Sequence, residues 1–355
     1  MNATPATFTD DVGKAVRARP AVAAWLLATA GMVAAMIVIG GITRLTESGL
    51  SMVEWRPLMG WLPPLSEAEW ERVFALYRQT PEFRLQNSWM GLADFQVIFF
   101  WEYLHRLWGR LIGVVFALPM LAFLLAGRVE RALLPRLLTL LAMGAIQGGI
   151  GWWMVVSGLV DEPAVSAYRL AVHLSMAFLI LGTLQWTAFD SLARRPGAPA
   201  SVPADPALRR GATAVLALIA LTIVAGAFVA GTDAGYAYNT FPLMDGRFVP
   251  DGYWSPEHGF ASVFEWVPAV QFNHRWLAIA TALVTLGFAH WAGRRAPSAA
   301  RAPLRLLSVA VALQVALGIA ALLMVVPVWL GALHQGGAVV LFWAAVWTRF
   351  SLRRG

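Results

Sequence analysis

Glu102-Tyr103-Leu104-His105-Arg106-Leu107-Trp108 lies inside an apolar run from 96 to 125, and Gln271-Phe272-Asn273-His274-Arg275-Trp276-Leu277 lies inside another, from 267 to 292. Both runs are long enough to cross a bilayer, which takes about 20 residues for ~30 Å of hydrocarbon. Each carries a His-Arg pair near its start. Ionisable side chains in a spanning segment are rare and usually functional. The same pair at the same place in two spans points to a duplicated helical membrane domain. Six further apolar runs complete the set: 22–43, 133–156, 166–189, 211–231, 304–326 and 328–350.

Composition supports this. Of 355 residues, 59% are hydrophobic and 13% are charged, where a soluble domain carries about 25% charged. The fold class is an all-α integral membrane protein, with eight transmembrane helices as two pseudo-twofold-related four-helix bundles. The first run lacks a small-residue cleavage site and reads as a span, not a signal peptide. There are no cysteines, which excludes disulfides, thiolate metal sites and thiolate-ligated haem.

The net charge of +7 is membrane topology, not nucleic-acid binding. Lys14, Arg17 and Arg19 precede the first span. Arg128, Arg131 and Arg136 follow the second. Arg194, Arg195, Arg209 and Arg210 follow the fourth, Arg294, Arg295, Arg301 and Arg305 the sixth, and Arg349, Arg353 and Arg354 end the chain. With eight spans all of these share one side, and the positive-inside rule makes that side cytoplasmic, with both termini. Residues 1–21 form a polar cytoplasmic arm, its first 20 expected to lack order. Residues 22–190 form an N-terminal half, 191–210 a cytoplasmic linker, 211–350 a C-terminal half and 351–355 a tail.

The other side carries two long loops, 44–95 and 232–266, rich in aromatic residues and placed to cover a site at the outer surface. Ser66 with Glu69 reads as a capping box that starts a helix. The halves repeat in order. The second and sixth spans share His-Arg. The third and seventh share Gln-x-x-x-Gly, Gln147 to Gly151 and Gln314 to Gly318. The fourth and eighth each hold one histidine, His173 and His334, and the first and fifth end in glycine-rich exits. An even number of spans per half makes the repeats parallel.

Counted inward from the outer end of each span, all four histidines lie at roughly 9–14 Å, at 1.5 Å per residue. Neutral imidazole binds zinc, copper or iron. A zinc or di-iron site in a bundle recruits carboxylates, and Glu102-x-x-His105 matches such a ligand string. Gln271 breaks that pattern in the second half. One histidine on each of two helices per half better suits the two axial ligands of a haem, His105 with His173 and His274 with His334. Arg106, Arg275, Arg110 and Arg169, each within about a turn of a histidine, are candidate contacts for haem propionates. Glu102, three residues before His105, shares its helical face and is expected to point toward whatever His105 ligates. Gln271, in the same place, cannot exchange protons. This difference suggests one reacting haem and one electron-carrying haem.

Gly41-Ile42-Thr43-Arg44-Leu45-Thr46-Glu47-Ser48-Gly49-Leu50-Ser51-Met52, then Glu54-Trp55-Arg56-Pro57, then Glu102 to Arg110, together resemble the haem A synthases, in the branch found in alphaproteobacteria and mitochondria. Tyr238-Asn239-Thr240-Phe241-Pro242-Leu243-Met244 is similar to that family too. The resemblance covers nearly all of the chain after residue 20. It implies oxidation of the C8 methyl group of haem O to a formyl group, for cytochrome oxidase. It implies haem b as cofactor on His274 and His334, substrate haem O on His105 and His173, and Glu102 as the catalytic carboxylate. Other branches carry cysteine pairs in the outer loops, so no thiol step is required here. The implied setting is a bacterial inner membrane. Implied partners are the haem O synthase (a protoheme farnesyltransferase), cytochrome oxidase assembly factors, an electron donor, lipid and a second copy of the chain. A di-haem cytochrome b that only transfers electrons, and a haem carrier or transporter, also fit four histidines. Neither accounts for Glu102 opposite Gln271.

Overall fold

The computed structural model describes residues 6–54, 60–160, 164–194 and 205–353. Trp55-Arg56-Pro57 of the family-like stretch, the linker residues 195–199 and Arg354 lie outside the described residues. In order, the helices are α1 (Ala6–Leu45), α2 (Glu67–Tyr77), α3 (Leu92–Leu125), α4 (Leu134–Val160), α5 (Ala167–Ala193), α6 (Pro206–Gly231), α7 (Ser262–Glu265), α8 (Val267–Gly293), α9 (Arg301–Leu323) and α10 (Val328–Ser351). Eight are long and apolar enough to cross a membrane, all but α2 and α7. No strand occurs among the described residues.

Apart from the start of α1, the spans begin and end within about five residues of where hydropathy places them. Helix α1 starts at Ala6 and continues through Pro20 into the membrane run, so the described part of the arm is helical where no order was expected. Helix α9 stops at Leu323, three residues before the apolar run does, because Val325 and Val326 turn the chain through left-handed backbone (φ 59° and 50°). Polar residues set other starts. Asp205 Oδ1 accepts from the Ala207 N–H (2.8 Å) ahead of Pro206 in the first turn of α6. Ser66 Oγ accepts from the Glu69 N–H (3.3 Å) at α2.

The packing has a two-fold pattern. Helix α1 packs on α3, α5 and α10, and α6 packs on α8, α10 and α5. Exchanging α1 with α6, α3 with α8, α4 with α9 and α5 with α10 turns every such pair into another packed pair. One pair departs from the match: α8 lies against α9, whereas α3 and α4 meet in few places.

The largest apolar core sits at one end of the bundle. It includes Leu26 and Ala30 of α1, Phe116 of α3, Leu181 and Leu184 of α5, Ile219 of α6, Leu307 of α9 and Phe342 of α10. On α3, Phe116 is 11 residues beyond His105, about 16 Å at 1.5 Å per residue. The histidines therefore stand above a close-packed floor.

Polar contacts separate the two ends. Arg19 pairs with Glu130, Arg136 and Arg194 pair with Asp190 (2.7 and 2.9 Å), and Arg349 donates to Thr213 (2.7 Å). All of these join positions that an eight-span count puts on one face. At the other face Arg44 forks onto both oxygens of Asp233 (2.8 and 2.9 Å), and Tyr168 donates to Glu265 (2.8 Å).

Candidate functional site

Each of the four histidines is half-buried and lies against a glycine of the preceding span. A Cβ on Gly40 would meet His105 Nε2 at 3.3 Å, and one on Gly151 would meet His173 Cε1 at 3.1 Å. A Cβ on Gly226 would meet His274 Cε1 at 3.1 Å, and one on Gly318 would meet His334 Cε1 at 2.8 Å. Glycine is thus what lets each ring approach the neighbouring helix so closely. The Gln-x-x-x-Gly repeat has the same purpose, since both of its residues serve the histidine of the next span. Gln147 Nε2 donates to the His173 carbonyl (3.1 Å) and stands 3.3 Å from His173 Nδ1. Gln314 Nε2 donates to the His334 carbonyl (3.0 Å) and stands 3.2 Å from His334 Nδ1.

His105 and His173 are electrostatic neighbours, and so are His274 and His334. The helices that carry them share no substantial packed face among the described residues: α3 does not lie along α5, nor α8 along α10. No group of three or more His, Cys, Asp or Glu side chains converges as a metal site among the described residues. The donor chemistry is two imidazoles per half, which fits the two axial positions of a haem iron. Beside His274, Arg275 Nε and Trp276 Nε1 are buried N–H donors without a partner among the described residues. Two orphan donors next to an imidazole suit an occupant that carries carboxylate acceptors.

The residues at 102 and 106, and at 271 and 275, act as clasps on the two long loops. Glu102 is 2% exposed, accepts from Ser51 Oγ and the Met52 N–H (2.6 Å each), and pairs with Arg106. Arg106 also donates to the carbonyls of Met52 (2.8 Å) and Glu54 (3.0 Å). In the second half Gln271 donates to the carbonyls of Ala234 (2.9 Å) and Ala237, and its own oxygen accepts from Arg275 (3.4 Å). Arg275 donates to the carbonyls of Tyr238, Thr240, Pro242 and Leu243 at 2.8–3.1 Å. Sequence reasoning placed Glu102 toward the metal side of His105. Its hydrogen bonds run instead to the loop that follows α1. Arg169 donates to the Trp153 carbonyl (2.6 Å) and stacks over the Trp153 ring, and Arg110 lies half-buried one turn below Arg106.

A family model described as cytochrome oxidase assembly protein, COX15-CtaA, matches residues 23–346. The chain belongs to the COX15-CtaA family. The match runs from the first span into the last, so all four histidines and both clasps fall within it. Named relatives agree with the COX15-CtaA match. Heme A synthase of Rhodospirillum centenum is 52% identical over 341 residues, 96% of this chain and 90% of the relative. Heme A synthase of Granulibacter bethesdensis is 50% identical over 338 residues (95% and 88%), and that of Paramagnetospirillum magneticum is 49% identical over 336 (94% of each).

Gly226 and the role of Gln147 and Gln314 were missed in the sequence. Their signal is contact between spans, which a linear pattern does not carry.

Proposed function

We propose that this multi-pass membrane protein acts as a haem A synthase, oxidising the C8 methyl group of haem O to a formyl group for cytochrome oxidase. The observation that carries this reading is a matched pair of bis-histidine sites of which only one has a buried carboxyl, Glu102, in place of an amide. The heme A synthase names of relatives about half identical to the chain support it.

In this reading the substrate lies between His105 and His173, in the half that holds Glu102. Haem b lies between His274 and His334, where the orphan Arg275 and Trp276 donors suit a propionate. When bound, haem b supplies one-electron chemistry, and the protein supplies ligands, orientation and protons. Gln147 and Gly151 fix the ring of His173, as Gln314 and Gly318 fix that of His334. Two hydroxylations by an oxidant supplied from outside the chain, a four-electron oxidation overall, would turn the methyl group into a gem-diol, which loses water to leave the aldehyde. Glu102 is the proton-handling group beside the reacting centre. Arg106 keeps it in place, and the loop from Ser48 to Glu54 closes over it. The loose seam between α3 and α4 gives a farnesyl-bearing substrate a lateral approach from lipid. The halves are a parallel duplication. Both termini are cytoplasmic, in a bacterial inner membrane, and the enzyme works after a protoheme farnesyltransferase and alongside oxidase assembly factors.

The test is Glu102→Gln in cells that make haem O. Haem A is expected to fall by roughly 10²-fold or more, the usual scale for a lost acid–base group, with b-type haem retained. Undiminished haem A would overturn the role of Glu102.

A further inference from the structure

Two carboxyl side chains are buried among the described residues, Glu102 and Glu82, and both belong to the first half. Glu82 lies in the outer loop, after α2, and is 4% exposed. Tyr77, fully buried at the end of α2, donates its hydroxyl to Glu82 Oε2 (2.9 Å). Asn87 Nδ2 in turn donates to the Tyr77 hydroxyl oxygen (2.8 Å). The chain of donors therefore runs one way, from Asn87 through Tyr77 to Glu82. Because Oε2 is used as an acceptor, a proton on Glu82 sits on Oε1.

The surroundings are apolar. Tyr77 stacks on Phe95 of α3 (5.2 Å between ring centres), and Phe74, Ile98 and Phe99 close the cluster. No cation lies within ion-pair distance of Glu82 among the described residues, and Tyr77 is its one hydrogen-bond partner there. Four titratable groups act on it: Tyr77 from α2, Glu102 from α3, Arg44 from the last turn of α1 and Glu47 just beyond it. Burial pushes the carboxyl up to about 8. The Tyr77 hydroxyl and Arg44 pull it down, and Glu102 and Glu47 add to the rise. A group of this kind gains and loses a proton near neutral pH. Glu102, by contrast, is held as an acceptor by a guanidinium, a hydroxyl and a backbone N–H. The loop over the second half has no counterpart: its buried polar side chains, Ser255 and Ser262, do not titrate.

We propose that Glu82 is the proton-exchanging carboxyl of the first-half site, passing protons between water at the outer face and the buried cluster around Glu102. In the inward step the O–H bond at Oε1 breaks, its electron pair stays on the carboxylate held by Tyr77, and the proton forms an O–H bond with a Glu102 carboxylate oxygen. The return step takes one proton from hydronium on the same oxygen. Glu82 acts through Glu102 and is a positioning residue for its chemistry. The proposal rests on the reading of the first half as the reacting half.

The experiment is an infrared pH titration of the full-length protein, with its haem, in lipid nanodiscs. A buried carboxylic C=O band is expected to disappear around pH 8, to be missing in Glu82→Gln, and to remain in Glu102→Gln. Tyr77→Phe keeps the ring packing and removes the donated hydroxyl, so it moves the transition to higher pH. In membranes, haem A formation by the wild type should change through the same transition. Glu82→Gln should lower the rate at least tenfold, retain b-type haem and abolish that pH limb. The proposal is overturned if no carboxyl titrates near pH 8, or if Glu82→Gln keeps the wild-type rate and pH limb. It is equally overturned if the rate falls while the limb stays, which is the mark of a purely structural residue. Glu102→Gln, run in parallel, separates the two readings. If it stays active, the first-half assignment fails. If it is inactive and Glu82→Gln is not, only the role of Glu82 fails.

Discussion

The two clasps are built on the same positions: the arginine donates to loop carbonyls in both, and the polarity is reversed only at the residue four positions before it. In the first half the loop offers donors, a Ser51 hydroxyl and a Met52 N–H, and a carboxylate takes them. In the second half the loop offers carbonyls, from Ala234 to Leu243, and an amide and a guanidinium supply the donors. The Arg is common to both, at i+4 from the varying residue. The difference teaches that Glu102 is there for two reasons. It holds the loop at Ser51 and Met52, and in the proposed function it is also the proton-handling group. Gln271 does only the first of these, for its own loop. The first half also has the larger loop, with α2 and a second buried carboxyl, and the looser helix seam. The second is closed by α8 against α9. An open, protonatable half beside a closed, neutral one is the arrangement expected of a substrate site next to a resident cofactor.

The comparison breaks most visibly at the arginines. Arg106→Ala leaves the Glu102 charge buried without its guanidinium, at a cost of roughly 3–5 kcal/mol. Arg275→Ala removes donors from carbonyls near the surface, about 1–3 kcal/mol for an acceptor left unsatisfied. Thermal unfolding and hydrogen exchange should therefore show Arg106→Ala as the more damaging, with loosening confined to the first outer loop. Equal damage in both loops would mean that the clasps do not differ in charge.

The glycine cradles give a smaller, graded effect. Gly318→Ala forces a Cβ to 2.8 Å from His334 and should lower retained haem by roughly 10–100-fold, the range for disturbing a ligand's support. Gly226→Ala and Gly151→Ala, at 3.1 Å, should do less, and Gly40→Ala, at 3.3 Å, least. Haem per protein, measured optically after purification, checks the order. A flat series would show that the rings are not held by these contacts.

Much of the frame was legible because membrane spans announce themselves by length and hydropathy. The run at 267–292 became Val267–Gly293, and 96–125 became Leu92–Leu125. The run at 304–326 overshot, because Val325 and Val326 are as apolar as the helix they end. The histidines and the Gln-x-x-x-Gly motif were legible through repetition. Their partners were not: Gly226 meets His274 from another span, and Glu82 meets Tyr77 through a loop that no repeat duplicates. Side-chain direction was also hidden. Spacing put Glu102 on the face of His105, and only the position of Ser51 and Met52 shows what its carboxyl holds.

The central claim is that the two histidine pairs hold different haems. Extracted pigments from purified His105→Ala, His173→Ala, His274→Ala and His334→Ala proteins, made in cells that supply haem O, test it most directly. The account predicts that the first two variants keep b-type haem and lose haem O and haem A, and that the last two lose b-type haem. Loss of b-type haem from the His105 or His173 variant, with its retention in the other two, would contradict it.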